Sequence, residues 1–180
     1  MLHAVAENGF AATTVADVVA RAAVSRSTFY AQFPDKEACF TAAYDYAMDL
    51  ALGRMTEAAA SRPDAAWQER VRSDLTTYLD VLMSEPALAV TLHVEVLAAG
   101  PVALEHRAEL LSVLASRLAN LNQLAKQDVT ALRDLPPAIF ALYTGGLDEL
   151  IRDRMRTGHV QGLKDLAEPL LEATYAMFGS

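Results

Sequence analysis

The chain has 180 residues, 53% of them hydrophobic, and a formal net charge of −8. This length allows a substantial core in one or two domains, and the acidic charge excludes a broad basic surface as the means of binding nucleic acid. The single Cys39 excludes an internal disulfide. Together with the absence of a signal-peptide pattern, it favours a cytoplasmic protein. No uncharged apolar run reaches about 18 residues, so we expect no membrane partner.

A helix-turn-helix is predicted near the start of the chain, after a first helix of barely two turns. Residues 14–22 carry valines at helical spacing, and residues 26–33 carry Phe29 and Phe33 as an inward-facing i, i+4 pair. Ser25 is a suitable N-cap for the second of these helices. The break between them is too short for antiparallel packing, so the helices should cross steeply. The opposite face of the second helix is polar, which is typical of a helix that reads DNA.

The remaining residues predict a larger helical bundle. A long helix should begin at Asp35 as N-cap and end near Ala60, and Asp64 should cap the next helix. Later helices are predicted at 87–99, from Pro101, at 138–157 and at 163–178. We therefore predict an all-α fold of about nine helices. Residues 1–46 would form a helix-turn-helix domain with a truncated first helix, and residues 47–180 a larger helical domain.

One segment of the predicted bundle is ambiguous. Residues 90–97 alternate between polar and apolar side chains, as a β-strand does. A lone strand would have no partner in this chain, and Pro86 with the flanking alanines favours a helix. Such a helix would be apolar nearly all round, so we expect it to run through the centre of the bundle.

The helix break AAVS, the segment SRSTFY and the link FPDKE resemble the TetR/AcrR family of bacterial transcriptional regulators, and the later helices are arranged similarly. The resemblance implies a homodimer whose recognition helices bind a palindromic operator DNA. It also implies a pocket in the bundle, where a small-molecule effector lowers the affinity for DNA. By this resemblance, residues 1–46 would be the DNA-binding domain and residues 47–180 the ligand-binding and dimerisation helical domain. Carried over by position, it implies DNA contacts from Thr14, Ser25, Arg26, Ser27, Thr28, Tyr30 and Lys36.

The chain departs from the family pattern at three points. Ala23 stands where a glycine is usual in the turn, so that position must tolerate a Cβ atom. Ala16 stands where many members have a basic residue, and the first helix is shortened. Residues 1–46 also contain three Lys and Arg residues against five Asp and Glu residues. DNA binding would therefore depend on a few placed side chains, on helix N-termini and on dimerisation.

The bundle contains candidate residues for an effector pocket. They are mainly apolar, which favours an apolar or amphipathic effector, although the same residues could simply fill the core. The pocket candidates are Trp67, Tyr78, Leu82, His93, Leu97, Leu114 and Phe140. His93 is either a ligand contact or a hydrogen-bonded core histidine, because a polar group inside a central helix needs a partner.

The two closing helices are the candidate dimer interface. Gly145 and Gly146 are costly inside a helix, and such a cost is tolerable where two backbones approach closely. The alternative is a helical hairpin that covers its own bundle. We favour the dimer because a helix-turn-helix reader needs two heads about 34 Å apart. The predicted interface residues are Tyr143, Gly146, Leu147, Leu150, Leu166, Leu170 and Thr174.

Two other classes of protein are alternatives to a regulator. An enzyme is disfavoured because the four histidines are scattered and no metal-binding, phosphate-loop or nucleophile-elbow motif occurs, so we expect no cofactor and no metal. A helical lipid- or drug-binding module without effective DNA binding is the alternative, and the acidic charge and short first helix speak for it. We predict a repressor released by an effector that displaces the long helix.

Overall fold

Residues 1–129 and 132–179 are described by the computed structural model, and every regular element there is helical. Two short 3₁₀ helices, Glu95–Ala98 and Val160–Leu166, interrupt the α-helices. The all-α prediction, with about nine helices, is confirmed for these residues. The α-helices are α1 (Leu2–Asn8), α2 (Val15–Ala22), α3 (Arg26–Gln32), α4 (Lys36–Ala60), α5 (Trp67–Ser84), α6 (Pro86–His93), α7 (Pro101–Asp128), α8 (Pro137–Arg156) and α9 (Ala167–Phe178).

Side-chain caps begin α3 and α4, as predicted. The Ser25 hydroxyl accepts the backbone N–H of Thr28 at 3.0 Å, and the Asp35 carboxylate accepts that of Ala38 at 2.7 Å. These bonds satisfy backbone donors that have no partner inside the helix. The predicted cap at Asp64 is wrong, because α5 begins only at Trp67 and its N-terminus has no side-chain cap.

The ambiguous segment is helical but is not one helix. α6 ends at His93, and the chain continues through Val94 into the 3₁₀ helix Glu95–Ala98. The predicted helix over residues 87–99 is therefore broken near its middle. β-Branched residues at 90, 91, 94 and 96 lower the helix propensity there. The break matters because it turns Glu95 towards the N-terminal helices.

Two hydrophobic cores meet at α1 and α4. A small core under α2 and α3 contains Ala4 and Cys39, whereas their chain neighbours Val5 and Phe40 belong to the main core. Adjacent residues on a helix point in different directions, so each helix contributes to both cores. We call residues 1–46 the head and the remainder the body. The predicted domain boundary after residue 46 lies inside α4 and stays a prediction.

The body is built around α4, which packs along α5 and α7. α8 also packs against α7, and α9 packs against α5. α6 lies between α1 of the head and α4, α5 and α8 of the body. Over the two described ranges, no helix combines the length and the apolar character needed to span a bilayer.

Candidate functional site

The outward face of α3 is polar and accessible. Arg26, Ser27 and Thr28 are exposed, and the Tyr30 side chain is 56% exposed. Phe29 is buried in the head core, so α3 is fixed by its apolar side and offers the opposite side to solvent. The structure thus gathers the predicted α3 residues on one surface, which is long enough to enter a major groove.

The hydroxyl groups at the N-termini of α2 and α3 already form hydrogen bonds within the chain. Thr14 and Asp17 form a capping box, and the Thr14 hydroxyl also donates to the Asp17 carboxylate at 2.6 Å. The same hydrogen bond is the first cause of a lowered pKa for Asp17. A phosphate at this end of α2 would meet that carboxylate. At the start of α3, the hydroxyls of Ser25 and Thr28 lie 2.9 Å apart and share a hydrogen bond.

The three cations of the head differ in their surroundings. Arg21 forms an ion pair with Glu7. The Lys36 ammonium donates to the backbone carbonyl of Phe10 at 2.9 Å and lies 4.2 Å from the centre of that ring. Within the described residues the Arg26 guanidinium has no ion pair, which leaves its five donors available to a base or a phosphate. The predicted DNA contact of Lys36 competes with its bond to Phe10.

A hydrogen bond joins the head to the body. The backbone N–H of Phe10 donates to Glu95 Oε2 at 2.5 Å, and the Phe10 carbonyl accepts from Lys36. Gly9 ends α1 with a φ of 78°, and a Cβ atom there would lie 3.5 Å from the Glu95 carboxylate. Because the bond is charge-assisted, it is stronger than an ordinary backbone hydrogen bond. No sequence pattern indicates this contact, because it depends on the break after α6.

His93 lies in a buried hydrogen-bonded network rather than facing a cavity. Its Nε2 is 2.9 Å from the Tyr78 hydroxyl, and its Nδ1 is 2.7 Å from Asp148 Oδ1. The guanidinium groups of Arg107 and Arg152 donate to the other oxygen of Asp148. This network joins α5, α6, α7 and α8, and it fits the alternative that His93 is a core histidine with its hydrogen bonds satisfied.

Burial and hydrogen bonding act against each other on Asp148. Burial alone would raise the pKa of this carboxyl group, but the hydrogen bonds from His93 and Arg107 outweigh it and hold the pKa below its ordinary value. Burial also raises the pKa of Tyr78 and of Tyr44. The Tyr44 hydroxyl has no hydrogen-bond partner among the described residues. Asp148 is not among the site residues predicted from the sequence. The signal available was a carboxylate inside the apolar stripe of α8, one helical turn before Arg152.

Two adjoining cavities lie beside α4, α5 and α7, and the inner one is also lined by α8 and α9. The inner cavity, of about 40 Å³, is lined by apolar residues of the body core together with Asp74, Tyr78, Tyr143, Thr144 and Thr174. The outer cavity, of about 180 Å³, opens near the end of α4. Its polar lining residues are Arg62, Glu69, Arg70, Ser73, Asp74, Arg117 and Asn120. Asp74 and Leu121 line both cavities.

The predicted pocket residues separate into several groups. Tyr78 and Leu114 line the inner cavity, and Phe140 lines a groove between α7 and α8. Trp67 and Leu82 are buried in the main core. Leu97 is 45% exposed, so its assignment to the pocket is corrected. The break after His93 places Leu97 on the short 3₁₀ helix and turns it outward.

Most of the predicted dimer residues face inward. Leu147, Leu166, Leu170 and Thr174 are buried in the core of this chain, which corrects their assignment to a partner. The Tyr143 hydroxyl, partly buried, donates to the Leu170 carbonyl at 3.0 Å. Gly146 is exposed and Leu150 is 44% exposed. The most exposed large apolar residue of α8 is Leu142, which was not predicted and is 73% exposed. Helical periodicity predicts which residues share one face of a helix, but not whether that face points into the core of the same chain or towards a partner.

The comparisons with known proteins agree with this arrangement. Residues 2–43 match the family described as "Bacterial regulatory proteins, tetR family". The transcriptional regulator FadR of Bacillus subtilis, solved in complex with stearoyl-CoA, has 19% identity and a TM-score of 0.83, covering 98% of this chain and 94% of its own. A comparison with curated proteins gives no match.

Two further solved structures have the same fold. The fatty acid degradation regulator FadR of Bacillus halodurans has 18% identity and a TM-score of 0.81, covering 96% of this chain and 89% of its own. A TetR-family regulator of Rhodococcus sp. has 23% identity and a TM-score of 0.71, covering 99% and 94%. At these identities the likeness shows a shared fold, from the head to the end of the body.

Proposed function

We propose that this chain, which belongs to the TetR family of bacterial regulatory proteins, is a ligand-responsive repressor that binds a palindromic operator as a homodimer. α3 would enter the major groove and the body would hold the effector. The observation that carries the proposal is the free polar face of α3. Arg26 and Tyr30 are exposed there, while Phe29 anchors the helix in the head core.

Each residue on this face has a chemical task in the proposal. Arg26 has no carboxylate partner among the described residues, so it can donate two hydrogen bonds to a guanine or bind a phosphate. Tyr30 can donate its phenolic hydrogen to a phosphate oxygen. Ser27 and Thr28 would contact base edges or the nearest phosphates. Thr14, Ser25 and Lys36 would contact the backbone, although their present hydrogen bonds must be shared or broken.

DNA binding is tested by fluorescence anisotropy, with duplexes taken from the region upstream of the gene that encodes this chain. We expect Arg26→Ala to weaken operator binding by about 1–3 kcal/mol, which is the value of a good bidentate base contact. Tyr30→Phe should cost less, since it removes one phosphate hydrogen bond. Arg54→Ala is the control, because Arg54 lies on α4 in the body and pairs with Glu57.

The result decides between the regulator and the alternative of a binding module without effective DNA binding. If the wild-type chain discriminates no duplex from random DNA, or if Arg26→Ala and Tyr30→Phe bind as the wild type does, the regulator is rejected. The head contains more acidic than basic residues and so has little general attraction to DNA. The titration is therefore done at low salt and repeated at physiological salt.

We infer that the effector is amphipathic, with an apolar part that enters the body. The inner cavity has mainly apolar walls, and FadR of Bacillus subtilis, whose fold this chain shares, was solved with stearoyl-CoA. The inner cavity is only about 40 Å³, so an apolar chain would have to separate α5 from α7. Binding would thereby favour a different arrangement of the body, and operator and effector would oppose each other by reciprocal coupling.

The bond between Glu95 and Phe10 offers a route from effector to DNA. α6 carries His93 in the body network and ends just before Glu95, which holds the α1–α2 turn. α4 carries Lys36 at its start and lines both cavities farther along. A shift of α4 or α6 would therefore move the head, and the separation of the two α3 helices in a dimer would change.

A further inference from the structure

We propose that the outer cavity binds the anionic head group of the effector, while the apolar tail enters the inner cavity. This inference deepens the proposed function and depends on it. The ligand class is a single-chain amphiphile with a carboxylate or phosphate head. The site lies where the end of α4, the start of α5 and the middle of α7 meet.

The cations of the outer cavity support an anionic ligand. Three arginines and two carboxylates line it, in a chain whose net charge is −8. Among the described residues, Arg62 and Arg70 form no ion pair with a carboxylate. Arg70 instead donates to the backbone carbonyls of Ala65 at 2.7 Å and of Pro63, which holds its guanidinium beside the cavity. Guanidinium groups placed in this way suit a carboxylate or phosphate.

The third cation, Arg117, stands at the junction of the two cavities. Its guanidinium pairs with Asp74, which lines both cavities, and donates to the Thr56 hydroxyl on α4 at 3.3 Å. The Nε of Arg117 is buried and has no hydrogen-bond partner among the residues that the structure describes. A buried donor without a partner costs free energy, and an anion that draws the guanidinium away from Asp74 into the outer cavity would satisfy it.

The wall shared by the cavities gives the amphiphile a direction. Leu121 and Asp74 separate the arginines on the outside from Met55, Val71, Leu114 and other apolar residues on the inside. An anionic head group that binds Arg117 would break the ion pair between Arg117 and Asp74, and this would loosen the wall for entry of the tail. It would also remove a contact between α7 and α4, the helix that carries the head. Binding of the anion would in this way reach the DNA-binding surface.

The test uses three probes with one tail, namely lauric acid, lauroyl-CoA and 1-dodecanol, with affinities measured by isothermal titration calorimetry. We expect Arg62→Gln to weaken the two anionic probes about tenfold or more, with the affinity for dodecanol changed less than twofold. Arg117→Gln should weaken the anionic probes to a similar extent without weakening dodecanol, because it removes a cation and also releases the wall. Arg54→Gln is the matched control, because Arg54 is exposed on α4 and lines neither cavity. The carboxylate and CoA probes distinguish a fatty acid from its thioester.

Several outcomes would overturn the inference. Equal weakening of dodecanol and the anionic probes would show a general loss of packing, and no weakening in either variant would place the head group elsewhere. If the wild type binds none of the three probes, both this site and the amphipathic effector are rejected. Operator binding is measured separately by anisotropy, so a chain that binds its operator but fails this test loses only the effector site.

Discussion

Ala23 adopts the left-handed helical conformation, with φ 53° and ψ 39°, at the turn between α2 and α3. Among the described residues, no other non-glycine residue has a positive φ. The sequence predicts that this position tolerates a Cβ atom. The structure shows that it does, but the left-handed conformation costs free energy, because the Cβ of an L residue crowds the neighbouring carbonyl. The strain is local, since Ala23 is exposed to solvent.

Replacing Ala23 with glycine should therefore stabilise the protein. Glycine relieves the strain of the positive φ but loses more conformational freedom on folding, so we expect a net gain of about 0.5–1 kcal/mol. Ala20→Gly is the control, because Ala20 is an exposed residue with helical geometry in α2 and should lose about 1 kcal/mol. Chemical denaturation measures both. A destabilised Ala23→Gly variant would contradict this account.

The helices of the body are joined by polar contacts as well as by the apolar core. Asp148 on α8 accepts hydrogen bonds from α6, α7 and its own helix, and the Arg152 Nε donates to the His93 carbonyl at 3.0 Å. A buried carboxylate is tolerable only because these partners surround it. The network fixes the end of α6, and hence the position of Glu95 beneath the head.

Asp148→Asn should destabilise the protein at neutral pH by about 3 kcal/mol, because two arginines and a histidine lose a buried anionic partner. The folded-state pKa of Asp148 lies below its ordinary value of 3.8, so the carboxylate's contribution is complete above that value and is lost as the pH falls through the folded-state pKa. The difference from the wild type should therefore narrow below about pH 4.

Denaturant unfolding between pH 3 and pH 7 checks this prediction. Asp153→Asn is the control on the same helix, because Asp153 pairs with Arg156 at the surface and should change the free energy of unfolding by less than about 1 kcal/mol. A constant difference between Asp148→Asn and the wild type over this range would contradict the assigned role of the carboxylate.

At the scale of the whole molecule, the proposed function requires two copies of the chain. The exposed face of α8 offers Leu142, Gly146 and Leu150, spaced four residues apart and therefore on one side of the helix. The exposed side of α9 carries the small residues Ala173 and Ala176. Large exposed leucines and small neighbours suit a helical interface between two identical chains.

The double substitution Leu142→Asp and Leu150→Asp should separate the proposed dimer, because it buries charge at the centre of the interface. Sedimentation velocity should show a monomer, and operator affinity should fall at least about tenfold, since one head is bound without the other. Leu104→Asp is the control, as Leu104 is an exposed leucine on α7. A wild-type monomer, or a variant that stays dimeric, would contradict this interface.

The sequence by itself determined the local features of this protein. Caps at Ser25 and Asp35, the Phe29–Phe33 pair and the helical periodicity specify short-range geometry, so the helix-turn-helix and the all-α fold could be predicted. These features depend on residues a few positions apart. The family resemblance likewise rests on short motifs, the segments AAVS, SRSTFY and FPDKE, each of which is contiguous in the chain.

The tertiary structure decided which side of each helix faces the core. The stripes of α8 and α9 were visible in the sequence, but only packing shows that Leu147 and Leu170 are inside and Leu142 outside. His93 and Asp148 are 55 residues apart, and Phe10 and Glu95 are 85 apart. Such contacts depend on how helices meet in space, and periodicity within one helix carries no information about its partner.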